Sequence, residues 1–239
     1  MNRCENLKNM LEYPRKNLER KKNMSTLIKE FCAENYTDIP LAIHRGAKRI
    51  ELCDNLAVGG TTPSTGVLEE AISYCNEKQV PVMVMIRPRK GHFIYNDIDL
   101  KIMHTDLIEA KKLGVDGVIF GCLTPSNWID EEAMEELIEV AEGLQITFHM
   151  AFDEIPAERQ FEAIDWLVNH GVHRILTHGG PMSESISDTL PRLKELIDYA
   201  AGRITILPGG QITYENAEEI AHQLGIHELH GTKIVKLAE

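Results

Sequence analysis

Apolar and polar positions along the chain recur in two alternating rhythms. Short runs rich in β-branched residues are separated by longer stretches in which apolar side chains return every three or four positions. The helical rhythm is clear over 156–169, where Phe161, Ile164, Leu167 and Val168 share one face. The extended runs predict strands over 27–32, 49–54, 81–87, 115–122, 145–151, 173–178, 204–208 and 226–231. Strands alternating with helices imply an α/β fold with a parallel sheet. Eight of them is the number that closes a (β/α)8 barrel, whereas an open doubly wound sheet more often has about five or six. Gly114, Gly171, Gly202 and Gly225 each stand between a helical stretch and the next strand, where a left-handed residue ends the helix. After Ile234 and Val235 the chain is too short for an eighth helix. The barrel is therefore expected to lack that helix or to have the gap covered by a neighbouring subunit.

The two rhythms run without a linker or repeat from residue 24 onward, so 24–239 is expected to form one domain. Residues 1–23 differ, with seven basic side chains against three acids and no periodic apolar face. They are expected to form a disordered basic extension. No apolar run approaches the roughly 18 to 20 residues of a membrane helix. Lys and Arg total 25 against 37 Asp and Glu, a net charge of −12. That balance argues against nucleic-acid and anionic-membrane partners, whose binding rests on basic surface. The five cysteines are odd in number and include no CxxC pair, which suggests reduced, cytoplasmic thiols.

In a barrel strand alternate residues point inward, so polar residues of one parity describe the interior and mouth. Glu30 shares a parity with Cys32, and Glu51 with Cys53. Met83, Met85, Arg87 and Arg89 are in phase, as are Thr147, His149 and Asp153, and strand eight adds Glu228 and His230. Buried carboxylates need countercharge. The two arginines at the end of strand three are expected to supply it, giving a cluster of Glu30, Glu51, Arg87, Arg89, His149 and Asp153 at the carboxyl end of the barrel, where barrel active sites lie. Gly179 and Gly180 follow strand six, and Gly209 and Gly210 follow strand seven. Such pairs near the last strands can hold an anion on backbone N–H groups. With a general base such as His149 or Glu51, this arrangement suits a lyase, isomerase or hydrolase acting on a small anionic or phosphorylated molecule.

Several strings bear a more specific likeness. Arg-Ile-Glu-Leu-Cys-Asp-Asn (49–55), Gly-Gly-Thr-Thr-Pro-Ser-Thr-Gly (59–66), Met-Ile-Arg-Pro-Arg (85–89), Thr-Phe-His-Met-Ala-Phe-Asp (147–153), Ile-Leu-Thr-His-Gly-Gly (175–180) and Glu-Leu-His-Gly (228–231) closely resemble the CutC family of copper homeostasis proteins. The resemblance runs from about residue 27 to 235. It implies a cytoplasmic, homo-oligomeric TIM barrel with a role in copper handling, and brings no settled reaction with it. The family's copper-binding cysteines match Cys32 and Cys53, and soft thiolates suit Cu(I). Cys75 and Cys122 are expected to be structural. Many family members carry Arg where this chain has Met150, a position that strand parity turns away from the interior. Copper binding and chemistry on a small anion stand as the two functional readings.

Overall fold

The computed structural model describes residues 27–238; the basic segment 1–23 and Cys4 lie outside them. Strands β1 (Ile28–Glu34), β2 (Arg49–Cys53), β3 (Val82–Met85) and β4 (Gly117–Phe120) form one half of the barrel. The other half is β5 (Gln145–Phe148), β6 (Arg174–Thr177), β7 (Thr205–Pro208) and β8 (Glu228–Gly231). Helices α1 (Ile39–His44), α2 (Thr65–Lys78), α3 (Asp97–Lys112), α4 (Glu131–Val140), α5 (Gln160–Asn169), α6 (Ile186–Ala200) and α7 (Ala217–Leu224) connect them. The eight strands run in the order β7-β6-β5-β4-β3-β2-β1-β8, and every ladder is parallel. β7 and β8 share no ladder; a single bridge from Thr213 to Lys233 ties the turns beyond them. From Thr232 to Ala238 the chain follows turns, and the described residues include no eighth helix.

Alternation sorts each strand into two faces. Phe31 and Ala33, Ile50 and Leu52, Val82 and Val84, Val118 and Phe120, Ile146 and Phe148 face the helices. There they meet Leu68 and Ile72 of α2, Met103 and Leu107 of α3, Ile164 and Leu167 of α5, and Leu193 and Leu196 of α6. This continuous apolar layer supplies most of the folding drive, at about 1.5 to 3 kcal/mol for each large side chain removed from water. The opposite parity fills the barrel, where Cys32, Cys53, Met83, Met85 and Ile119 form a separate apolar cluster. Gly117 has no side chain for a physical reason: a Cβ there would lie 2.2 Å from the Met83 methyl carbon and 2.5 Å from the Gln145 carbonyl. The methionine occupies the space that β4 leaves empty.

The helix ends follow the local sequence. Ser64 caps α2 by accepting from the Val67 N–H, and Ser185 caps α6 at Asp188. Asn96 and Asp99 form a reciprocal capping box on α3. The four predicted helix-ending glycines all take positive φ.

Three strands, β3, β4 and β5, stop two or three residues earlier than the apolar runs suggest. β3 ends at Met85, and the next residues are spent on loop contacts. β5 ends at Phe148, after which the chain turns through a short 3-10 segment, Met150–Glu154, capped by the His149 ring. Side-chain alternation loses its meaning beyond those points. Met150 accordingly lines the cavity at the barrel mouth instead of facing away from it.

Candidate functional site

The barrel interior holds a ladder of charges. Near its amino-terminal end, Arg174 (Nε, 3.2 Å) and Arg49 (Nη1, 2.8 Å) both donate to Glu228 Oε2. Arg49 also donates through Nε to the Glu30 carboxylate. Glu30 Oε1 in turn lies 2.9 Å from His230 Nδ1, which is 3.7 Å from Glu51 Oε2. Glu51 Oε1 accepts from the Cys32 thiol at 3.2 Å, and Cys32 Sγ is 3.8 Å from Cys53 Sγ. Strand register explains the order, since Arg49 stands opposite Glu30, Glu51 opposite Cys32, and His230 opposite Glu30.

Every inner member of this ladder is buried. Burial pushes the Glu30 carboxyl upward, but Arg49 and His230 outweigh it and bring its pKa down to about 2. Burial raises the Glu51 pKa despite His230 beside it. Burial alone would discharge His230, yet Glu51 and Glu30 raise its pKa instead. The Cys53 contact, then burial and Glu51, lift the Cys32 thiol well above its ordinary range. Glu51 and His230 thus face each other at 3.7 Å, both pushed toward their protonated forms, beside a thiol held protonated. Glu51 Oε2 has no hydrogen-bond partner. Ligand atoms of Cys32, Glu51 and His230 all lie within 4.8 Å of one another.

The ladder opens into a cavity of about 450 Å³ at the carboxyl end of the strands. Cys32, Glu51 and His230 line it together with Met85, Arg87, Phe93, His149 and the turns after β7 and β8.

Residues 27–235 match the CutC family over their whole length. The chain belongs to the CutC family. The CutC protein of Enterococcus faecalis is 66% identical over 209 residues, 87% of this chain and 100% of that one. A human relative named copper homeostasis protein cutC homolog is 41% identical over 201 residues, covering 84% of this chain and 71% of its own length. A crystal structure of CutC from Streptococcus agalactiae, 48% identical, matches with a TM-score of 0.86 and covers 88% of this chain and 100% of that one.

In this CutC barrel the residues singled out by sequence fall into separate groups. Glu30, Glu51, Cys32 and Cys53 converge on one another. Arg87 does not serve as their countercharge. Its guanidinium donates to the carbonyls of Val58 (3.0 Å), Gly60 (2.8 Å) and Gly91 (2.8 Å), and lies over the Phe93 ring. Arg49 takes the role expected of Arg87, because β3 ends before Arg87 can project down the barrel axis. Arg89 is likewise diverted, to Asp99 on α3 at 2.9 Å and to loop carbonyls. His149 lines the cavity with its ring against Phe93 at 4.6 Å between centroids; burial and then Arg87 lower its pKa to about 3.

Asp153 lies beyond the end of β5 and ties down the start of the turn after β6. It accepts from the Thr177 hydroxyl and from the N–H groups of His178 (2.9 Å) and Gly179 (3.3 Å). Burial raises its pKa to about 6 against those donors. The Gly179 N–H is thereby committed to protein acceptors, and the Gly209 N–H donates to the Thr177 carbonyl at 2.9 Å. Gly180 lies against Thr189 and Glu184, and Gly210 against His178 and Met182, with Gly210 lining the cavity. Sequence reasoning passed over Arg49 and left His230 outside the chosen set. Both were within reach: Arg49 has the parity of Glu51 and Cys53, and His230 that of Glu228.

Proposed function

We propose that this CutC-family chain handles copper as Cu(I), held by Cys32 and Cys53 with Glu51 and His230 beside them. The observation that carries the reading is the pair of inward-facing thiols 3.8 Å apart, with Cys32 lining the cavity and Cys53 buried behind it. Thiolates are the soft ligands that select Cu(I) over harder ions. Metal–ligand bonds of about 2.0 to 2.3 Å let one ion bridge donors at this spacing.

A thiol must lose its proton to bind a metal. Glu51, already accepting from Cys32 at 3.2 Å and carrying a second oxygen without a partner, is placed to receive it. The names of the mammalian relatives, copper homeostasis protein cutC homolog, support the same role. The reading includes a reducing, cytoplasmic setting, in which the four described cysteines stay as thiols. It also includes self-association, for which exposed Ile98 and Ile102 on α3 offer apolar surface.

Anaerobic titration against a chromophoric Cu(I) chelator tests the site. About one ion per chain is expected, with affinity rising as pH rises because proton release accompanies binding. Cys32→Ser and Cys53→Ser should each abolish it, since a hydroxyl is a poor soft-metal ligand. Undiminished binding by the double variant overturns the assignment.

A further inference from the structure

Part of the cavity wall carries a buried positive charge that no described carboxylate answers. Arg87 is 4% exposed, and its three guanidinium hydrogen bonds end on neutral carbonyls. A buried ion without an opposite charge is unfavourable unless something else supplies one. Beside it, His149 is 3% exposed and accepts the Ala151 N–H on Nδ1 at 3.2 Å. Nδ1 is therefore unprotonated, and the neutral ring carries its single proton on Nε2. That N–H has no acceptor in the protein, although buried donors are rarely left unpaired.

Arg87 and His149 line the same cavity, along with Met85, Phe93, Leu176 and, at the rim, the exposed Lys233 in the turn after β8. The turns after the last two strands are where barrels commonly seat anions. A cavity of about 450 Å³ has room for a small molecule, and its apolar residues suit a carbon skeleton.

We infer that this cavity binds a small organic oxyanion, a carboxylate or a phosphate, whose oxygen accepts from His149 Nε2–H beside Arg87, with Lys233 at the rim answering remaining charge. None of these three residues belongs to the thiol cluster, so the inference stands apart from the copper reading.

The test uses metal-free, reduced protein with the imidazole nitrogens labelled for NMR. Inorganic phosphate, acetate and hexanoate are titrated separately, which distinguishes a phosphate ligand from a carboxylate and measures the contribution of an apolar tail. At least one probe should bind saturably and shift the His149 Nε2 resonance. His149→Phe keeps a ring against Phe93 but removes the donor, and should weaken that probe about tenfold. Lys233→Ala, which removes an exposed side chain and keeps the backbone bridge to Thr213, should weaken it by a smaller factor and provides a second variant should His149→Phe unfold. Absence of saturable binding by all three probes, or unchanged affinity in both folded variants, overturns the inference.

Discussion

Replacing Arg49 by methionine removes the guanidinium that answers both Glu30 and Glu228 while filling much of the same volume. Glu30 is buried, so the variant strands a charge in the barrel, and a loss of about 3 to 5 kcal/mol is expected. Urea unfolding of Arg49→Met checks it; a change below about 1 kcal/mol would show that the ladder rearranges freely. His149 gives a pH signature. Its folded pKa of about 3 lies below the ordinary value of about 6.5, so between these limits the unfolded chain binds a proton that the folded chain excludes. The contribution is fully present above about pH 6.5 and is lost as pH falls, at up to about 1.4 kcal/mol per unit. Asp153 runs the other way, its folded pKa of about 6 lying above the ordinary aspartate value of 3.8, so its contribution is lost as pH rises through that window. Urea curves for the parent and His149→Phe should therefore converge as pH falls toward about 4.5, because only the parent loses the histidine contribution. Parallel pH dependences would mean that the ring stays solvated. The charged partners were only half legible in sequence: parity identifies Glu30, Glu51 and the cysteines, but the contacts of Arg87 follow from loop carbonyls that no pattern announces.

At the level of elements, β4 depends on having no side chain at Gly117, because Met83, its register partner on the neighbouring β3, fills that place. Gly117→Ala is expected to lower stability by about 1 to 3 kcal/mol through overpacking, since one of the contacts is a backbone carbonyl that cannot swing aside. Thermal melting of this variant beside Met83→Ala and Gly117→Ala/Met83→Ala tests the cause. If the Met83 methyl carbon contributes to the strain, Met83→Ala costs less stability in the Gly117→Ala background than in the parent; equal costs would leave the Gln145 carbonyl as the source. The number and order of strands were legible because β-branched runs and helix-ending glycines punctuate the chain. Their carboxyl ends were not. Residues 149–153 keep an apolar rhythm while the backbone turns, since the His149 ring captures the Ala151 N–H and closes a turn.

On the scale of the whole molecule, counting eight strands was enough to predict closure, but not the way in which the ring closes. Seven neighbouring strand pairs are joined by ladders, whereas β7 and β8 are only adjacent, with one bridge beyond their ends. Sequence carries no sign of this, because strand spacing at closure depends on the accumulated tilt of all eight strands. The cavity draws residues from both lips of that seam: Gly210, Gln211, Ile212 and Thr213 follow β7, while His230, Gly231, Thr232 and Lys233 come from β8 and the turn after it. The barrel resembles a hoop with one joint left unriveted, and the pocket is cut across that joint. Those lips are held by loop contacts, such as the Tyr214 N–H donating to the Lys233 carbonyl at 2.8 Å, so the pocket wall at this place rests on turn residues and not on a continuous run of sheet hydrogen bonds.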